Sequence, residues 1–151
     1  MSITRTSMIE LTSDECLDLL ATRQPRVGRL AFEDPAGPMV FPMPYIAEAR
    51  AIYFCGAPGN TLLAALEMRQ VSFEVDHVDE VPEPDSPELR EEGWSVLAFG
   101  RLRVLTDEEE LAWLRRSPLQ PRAHDDHPHY LRMDIATLTG RRYDARPPLM
   151  S

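Results

Sequence analysis

The stretch IYFCGAPGNTLLAAL, residues 52–66, reads as a strand, a glycine-containing turn and the first turns of a helix. That layout can cradle an anion, because the free N–H groups of a helix N-terminus point at whatever sits before it. Gly56 and Gly59 would let a phosphate approach the backbone closely, and Thr61 offers a hydroxyl. No residue between Ile52 and Leu66 is basic, so the cradle would have to work without a side-chain cation of its own.

Other reactive residues form weaker constellations. His124, Asp125, Asp126, His127 and His129 would suit zinc or nickel if they converged. They lie in one loop with no second cluster to complete a site, so a solvated turn before a strand is expected, with His129 its most inward member. Cys16 and Cys55 match no metal spacing or disulfide framework and read as reduced, partly buried thiols. Ser72, Ser95 and Ser117 lack a nucleophile elbow. GAPGN lacks the three-glycine spacing of a dinucleotide fingerprint. No metal ligand and no acid–base pair stands out.

Composition narrows the partners. The 151 residues carry a net charge of −9, which disfavours nucleic acid and anionic membranes, since both reward a basic face. All 16 basic residues are arginine, so any side-chain phosphate contact must use a planar fork and not a flexible point charge. No apolar run approaches the ~20 residues that span a bilayer and no signal peptide opens the chain, so a cytoplasmic protein is expected. The length predicts one domain, residues 1–151.

The elements that must position these residues follow from pattern. Thr12 with Glu15 forms a capping box ahead of a helix over about 13–22. RVGRLAFE, PMVFPMPYIAEA, AIYFCG, QVSFEVDHV, GWSVLAFGRLRVL and HYLRMDI read as six strands. Pro42 and Pro44 cannot donate ladder hydrogen bonds, so they should face an edge, a bulge or a ligand. NTLLAALEMR reads as a helix, and so does the segment capped by Thr106. The proline-rich acidic run 79–92 reads as a solvated, mobile connection and TGRRYDARPPLMS as a closing tail. Strands joined mostly by turns favour a small antiparallel barrel, mainly β, with short flanking helices.

That order of elements resembles the FMN-binding split-barrel family, the pyridoxamine 5′-phosphate oxidase-like proteins, and in particular its small bacterial flavin-nucleotide-binding branch. The likeness covers about residues 8–143. It rests on VGRLAF, FPMPYIAEARAIYFCGAPGNTLLAAL, VSFEVD, and GWSVLAFGRLRVLTDEEEL followed by TGRR. The resemblance implies a six-stranded split barrel and a homodimer with two flavin sites at its interface. It implies that the isoalloxazine lies against Met43, Pro44 and Tyr45, and that Phe54, Cys55 and Gly56 with Asn60, Thr61 and Leu62 approach the ribityl phosphate. Trp94, Ser95 and Val96 would contribute from the fifth strand. Tyr45 and Trp94 equally read as core or interface aromatics, and Phe41, Phe54 and Phe73 as core.

The branch usually carries a lysine or arginine at the positions matching Asn60–Thr61, and this chain has neither. Arg29, Arg50, Arg69 or an arginine of the partner subunit would have to compensate. The implied activity is an FMN-dependent hydride transfer between the flavin and a small organic substrate or a nicotinamide donor. The alternative is a barrel that takes a deazaflavin or haem, or no cofactor, and binds a small apolar molecule or catalyses a redox-neutral step.

Overall fold

The structure is a computed structural model and describes residues 5–22, 26–56, 68–85, 87–120 and 129–146. Residues 60–67 of the expected helix, with the turn 60–62, and residues 124–128 of the histidine loop lie outside the described residues; Met68 and Arg69, the end of that expected helix, are described and are not helical. Seven strands and two helices are described. In chain order they are β1 (Arg5–Glu10), α1 (Ser13–Ala21), β2 (Arg26–Asp34), β3 (Gly37–Glu48), β4 (Ala51–Gly56), β5 (Gln70–Pro82), β6 (Leu89–Val104), α2 (Glu108–Arg115) and β7 (His129–Arg146).

All pairings are antiparallel. Six strands close a ring, β7–β4–β3–β2–β5–β6, with β6 returning to β7. The seam between β2 and β5 is short, spanning Arg29–Ala31 against Ser72–Glu74, whereas β5 pairs with β6 along all 13 of its residues. β7 lies against β6 on one side; on the other it meets β4 first and β1 farther along.

Alternation along the strands fills the ring. Tyr45, Phe54 and Phe73 are fully buried, and Phe73 sits between the other two rings at 5.2 and 4.8 Å, edge to face with both. This is the arrangement the ring quadrupoles favour. Tyr45 satisfies its hydroxyl by donating to the Leu20 carbonyl at 3.2 Å, which ties α1 across the barrel. Both hydrogen bonds of the expected capping box start that helix: Thr12 Oγ1 accepts from Glu15 N (3.2 Å), and Glu15 Oε1 accepts from Thr12 N (3.1 Å). Cys16 is buried beneath it and Cys55 is half-buried; neither forms a disulfide among the described residues.

Several expectations need correction. Segment 79–92 is not a loop: Asp79–Pro82 pairs with Leu89–Glu92, leaving 83–88 as the connection. Backbone pairing does not demand apolar side chains, and Arg90 offsets the local acid density by reaching Glu92 (2.7 Å), Asp144 (3.3 Å) and Glu83 (3.9 Å). The segment read as a tail continues β7 to Arg146, and the opening residues form β1, paired outside the six-stranded ring. The cap of α2 is Asp107, not Thr106; its carboxylate accepts from Glu110 N at 3.0 Å. His129 is exposed although it shares the inward parity of Leu131, Met133 and Ile135, because it is the first residue of β7 and lies at the end of the strand.

A polar network holds α2 against the barrel. Arg132 donates from Nη1 to Glu110 Oε2 (2.8 Å) and to the Tyr53 hydroxyl (3.1 Å), and from Nε to Asp134 Oδ1 (2.7 Å). Arg103 donates to the other Asp134 oxygen at 2.9 Å. Partial burial would raise the Asp134 carboxyl, but the hydrogen bonds and charges of Arg132 and Arg103 outweigh it and hold it below its ordinary value. Arg132→Met is expected to cost about 1–2 kcal/mol at neutral pH, since the partly buried Glu110 carboxylate loses its arginine and Asp134 keeps only Arg103. A group held low in the folded state stabilises above its unfolded pKa and loses that contribution as pH falls through the folded one. The difference between wild type and variant in urea unfolding should therefore be full at about pH 7 and much smaller at about pH 3. Equal differences at both would remove Asp134 from the effect.

Candidate functional site

Sheet register sets the site. Met43 on β3 is opposite Gly28 on β2, Arg29 on β2 opposite Glu74 on β5, and Val75, Asp76 and His77 on β5 opposite Val96, Ser95 and Trp94 on β6. Met43–Tyr45 and Trp94–Val96, about 50 residues apart in sequence, thus share one level of the barrel. Two strands lie between them, a span of about 14 Å at the usual strand spacing.

Within that band the side chains divide by parity. Tyr45, Phe54 and Val96 are fully buried in the core and Met43 nearly so, so what they present outward is backbone. Pro44 and Ser95, on the outward parity, are half-buried and Pro42 is exposed; Trp94 has the inward parity of Val96 and is half-buried against the core. The prolines stand where expected. β2 pairs with them through Arg29 and Val27, while β4 joins β3 from Tyr45 onward, so β3 has an open edge there among the described residues. The missing N–H groups of Pro42 and Pro44 leave that edge unable to recruit a further strand. Gly56, at the end of β4, is buried opposite His129, and Cys55 beside it is half-buried. Burial at this end also pushes the Tyr130 phenol up, with the neighbouring Cys55 adding to it.

The arginines expected to replace the missing cation are placed less favourably. Arg29 Nη1 is held by Glu74 (3.1 Å) and Asp76 (3.3 Å). Burial raises the Glu74 carboxyl, Asp76 raises it further, and Arg29 opposes both. Arg69 donates to the Glu33 carbonyl at 2.7 Å. Arg50 sits at the start of β4, and the six residues of that strand put it about 20 Å from Gly56.

The residues that sequence reasoning missed are on β1 and the second half of β7. Thr6, Ser7, Arg142, Tyr143 and Asp144 join Trp94 around a cleft of about 710 Å³. The alternation of Leu138, Gly140 and Arg142 against Thr139, Arg141 and Tyr143 was a strand signal, but too polar to separate from a tail. Among the described residues no cluster of His, Cys, Asp or Glu could hold a metal ion, and no helix is long and apolar enough to cross a membrane.

Solved structures with this architecture include proteins that bind FAD. The FAD-binding protein from Mycobacterium smegmatis is 30% identical, with 89% of this chain and 98% of that one aligned at a TM-score of 0.72. A FAD-binding protein from Mesorhizobium loti shares the fold at 24% identity, covering 89% of this chain and 97% of that one at a TM-score of 0.63. A FAD- and haem-binding protein from M. smegmatis shares it at 16%, covering 94% and 88%, with a TM-score of 0.67. No curated protein matches the chain. A family model described as pyridoxamine 5′-phosphate oxidase matches residues 12–142, which takes in α1, the closed ring and most of β7. The chain belongs to the pyridoxamine 5′-phosphate oxidase-like family.

Proposed function

We propose that the chain is a homodimeric flavin-nucleotide-binding protein that passes a hydride between its flavin and a small organic substrate or a nicotinamide donor. The observation that carries this is the shared band. The sheet brings the proline-broken edge of β3 and the Trp94–Val96 segment of β6, which is paired on both sides, to one level, and a planar ring lying along that level would meet both. The flavin-binding relatives support the same reading. When bound, the flavin supplies the hydride chemistry, and the protein has to orient, exclude water and tune charge.

Each element has its part. Pro44 and the outer backbone at Met43 and Tyr45 form one wall, and Trp94 and Ser95 the other. Cys55 and Gly56 stand at the phosphate end, and Asn60, Thr61 and Leu62, which follow them in the sequence, would contribute to it. FMN is the smallest nucleotide that fits this scheme. FAD shares its flavin and adds an adenylate whose contacts would offset a weak phosphate turn. A second copy has a surface to cover: Val27 and Val40, on the adjoining strands β2 and β3, are 51% and 58% exposed. The engagement of Arg29 and Arg69 and the remoteness of Arg50 favour, as second reading, a cofactor-free, deazaflavin- or haem-binding barrel that takes a small apolar molecule.

Trp94→Ala tests the ring-binding wall. It is expected to weaken flavin binding about tenfold, the worth of one aromatic stacking contact and its buried area, and to shift the visible flavin spectrum. Unchanged affinity and an unchanged spectrum would remove Trp94 from the site.

A further inference from the structure

The cleft beside Trp94 is walled by β1, α1, β5, β6 and β7, and its volume of about 710 Å³ is that of a small-molecule pocket. Strand pairing fixes its polarity. His77, Trp94 and Arg142 are side by side on β5, β6 and β7, so the indole stands between a β5 wall and a β7 wall. Asp79, two residues beyond His77, lies on the same face of β5 as the imidazole.

The charges around the cleft are not equally available. Glu92 and Asp144 are bridged by Arg90 at 2.7 and 3.3 Å. Asp79 meets the His77 ring at 2.8 Å, a partner that is charged only when protonated. None of the ion pairs among the described residues involves Arg142. Glu15, an acid that feels its charge, is turned back onto Thr12 in the capping box. One arginine on β7 and one carboxylate on β5 are therefore left facing a ligand, with an aromatic surface between them and the Thr6 and Ser7 hydroxyls at the rim.

We propose that this cleft binds a small dipolar aromatic molecule, its carboxylate held by Arg142, its ring against Trp94 and its ammonium group toward Asp79. A plain anion would meet the surplus of carboxylates, and a plain cation would meet Arg142. A dianionic phosphate would be repelled more strongly still. Because Trp94 is shared with the proposed flavin wall, the cleft is the substrate side of that site. That last step rests on the flavin reading, while the binding itself does not.

The test is calorimetric titration of the full chain, before any flavin is added, with 4-(aminomethyl)benzoate, benzoate and benzylamine at low ionic strength. Saturable binding of the dipolar probe is expected, with each singly charged probe about fivefold weaker, the upper end for an exposed ion pair. Arg142→Gln should reduce the dipolar probe to the affinity of benzylamine, and Asp79→Asn to that of benzoate. Both residues are on the surface, so thermal unfolding should report folded variants. Three results would overturn the proposal: no saturable heat up to ~10 mM probe, benzoate or benzylamine binding as tightly as the dipolar probe, or variants that bind as wild type does. Flavin binding without probe binding would sink the cleft alone, and the converse would sink the flavin reading alone.

Discussion

Gly100→Ala is expected to lower stability by about 3 kcal/mol or more, the cost of forcing an atom into space already filled. Gly100 sits at the irregularity where the register between β6 and β7 shifts, after Phe99. A Cβ placed there would collide with the carbonyl oxygen of Asp134, a backbone atom of the neighbouring strand, and would crowd the Met133 side chain at 3.3 Å. A flexible side chain could turn aside; a ladder carbonyl cannot move without breaking the pairing that closes the ring. The thermal midpoint should fall by roughly 6–12 °C for a chain of this length. Gly37 gives the contrast. Nothing lies within 4 Å of its absent Cβ, but its φ of 128° belongs to glycine, so Gly37→Ala should cost about 1 kcal/mol through backbone strain alone. A Gly100→Ala midpoint within about 2 °C of wild type would mean that the bulge relaxes, and that β6–β7 closure is looser than it looks.

Thr61→Lys is expected to tighten FMN binding by about one to two decades. A charged hydrogen bond to phosphate is worth about 1.5–3 kcal/mol, and the sequence from Ala57 to Leu66 has no basic residue to make one. The arginines nearest in argument are engaged elsewhere or distant: Arg29 is with Glu74 and Asp76, and Arg69 is on the Glu33 carbonyl. FAD should gain less than FMN, because its second phosphate and adenylate already share the grip. The comparison is a pair of dissociation constants for each nucleotide, wild type against variant. An unchanged or weaker FMN constant would take the phosphate away from this turn.

Much of the barrel was legible because its strands are half-buried and alternate. Val71, Phe73 and Val75 marked β5, and Thr12 with Glu15 marked the start of α1. What was not legible had no such signal. β1 exposes both Met8 and Ile9 and is a strand because β7 pairs with it from the other end of the chain. The outer part of the β5–β6 hairpin is acidic and proline-bearing, and what counters its charge is Arg90, whose reach to Asp144 no local pattern announces. Thr106 and Asp107 can both cap a helix; the choice depends on which backbone is extended.

The site was half legible for the same reason. Pro42 and Pro44 signalled an open edge by lacking N–H groups, and the structure places them on one. Tyr45 read equally as ligand contact or core, Phe54 more readily as core, and Val96 as a ligand contact by resemblance alone; the side chains of all three are core. Arg142 could not be read at all, since its meaning comes from lying across β6 from His77.

The most direct measurement is the dissociation constant of the wild-type protein for FMN and for FAD, from quenching of flavin fluorescence on titration with the purified chain. The account predicts saturable binding of at least one of them at micromolar concentration or tighter, about −8 kcal/mol. No saturable binding of either at ~100 μM, weaker than about −5.5 kcal/mol, would contradict it and leave a barrel built for some other ligand.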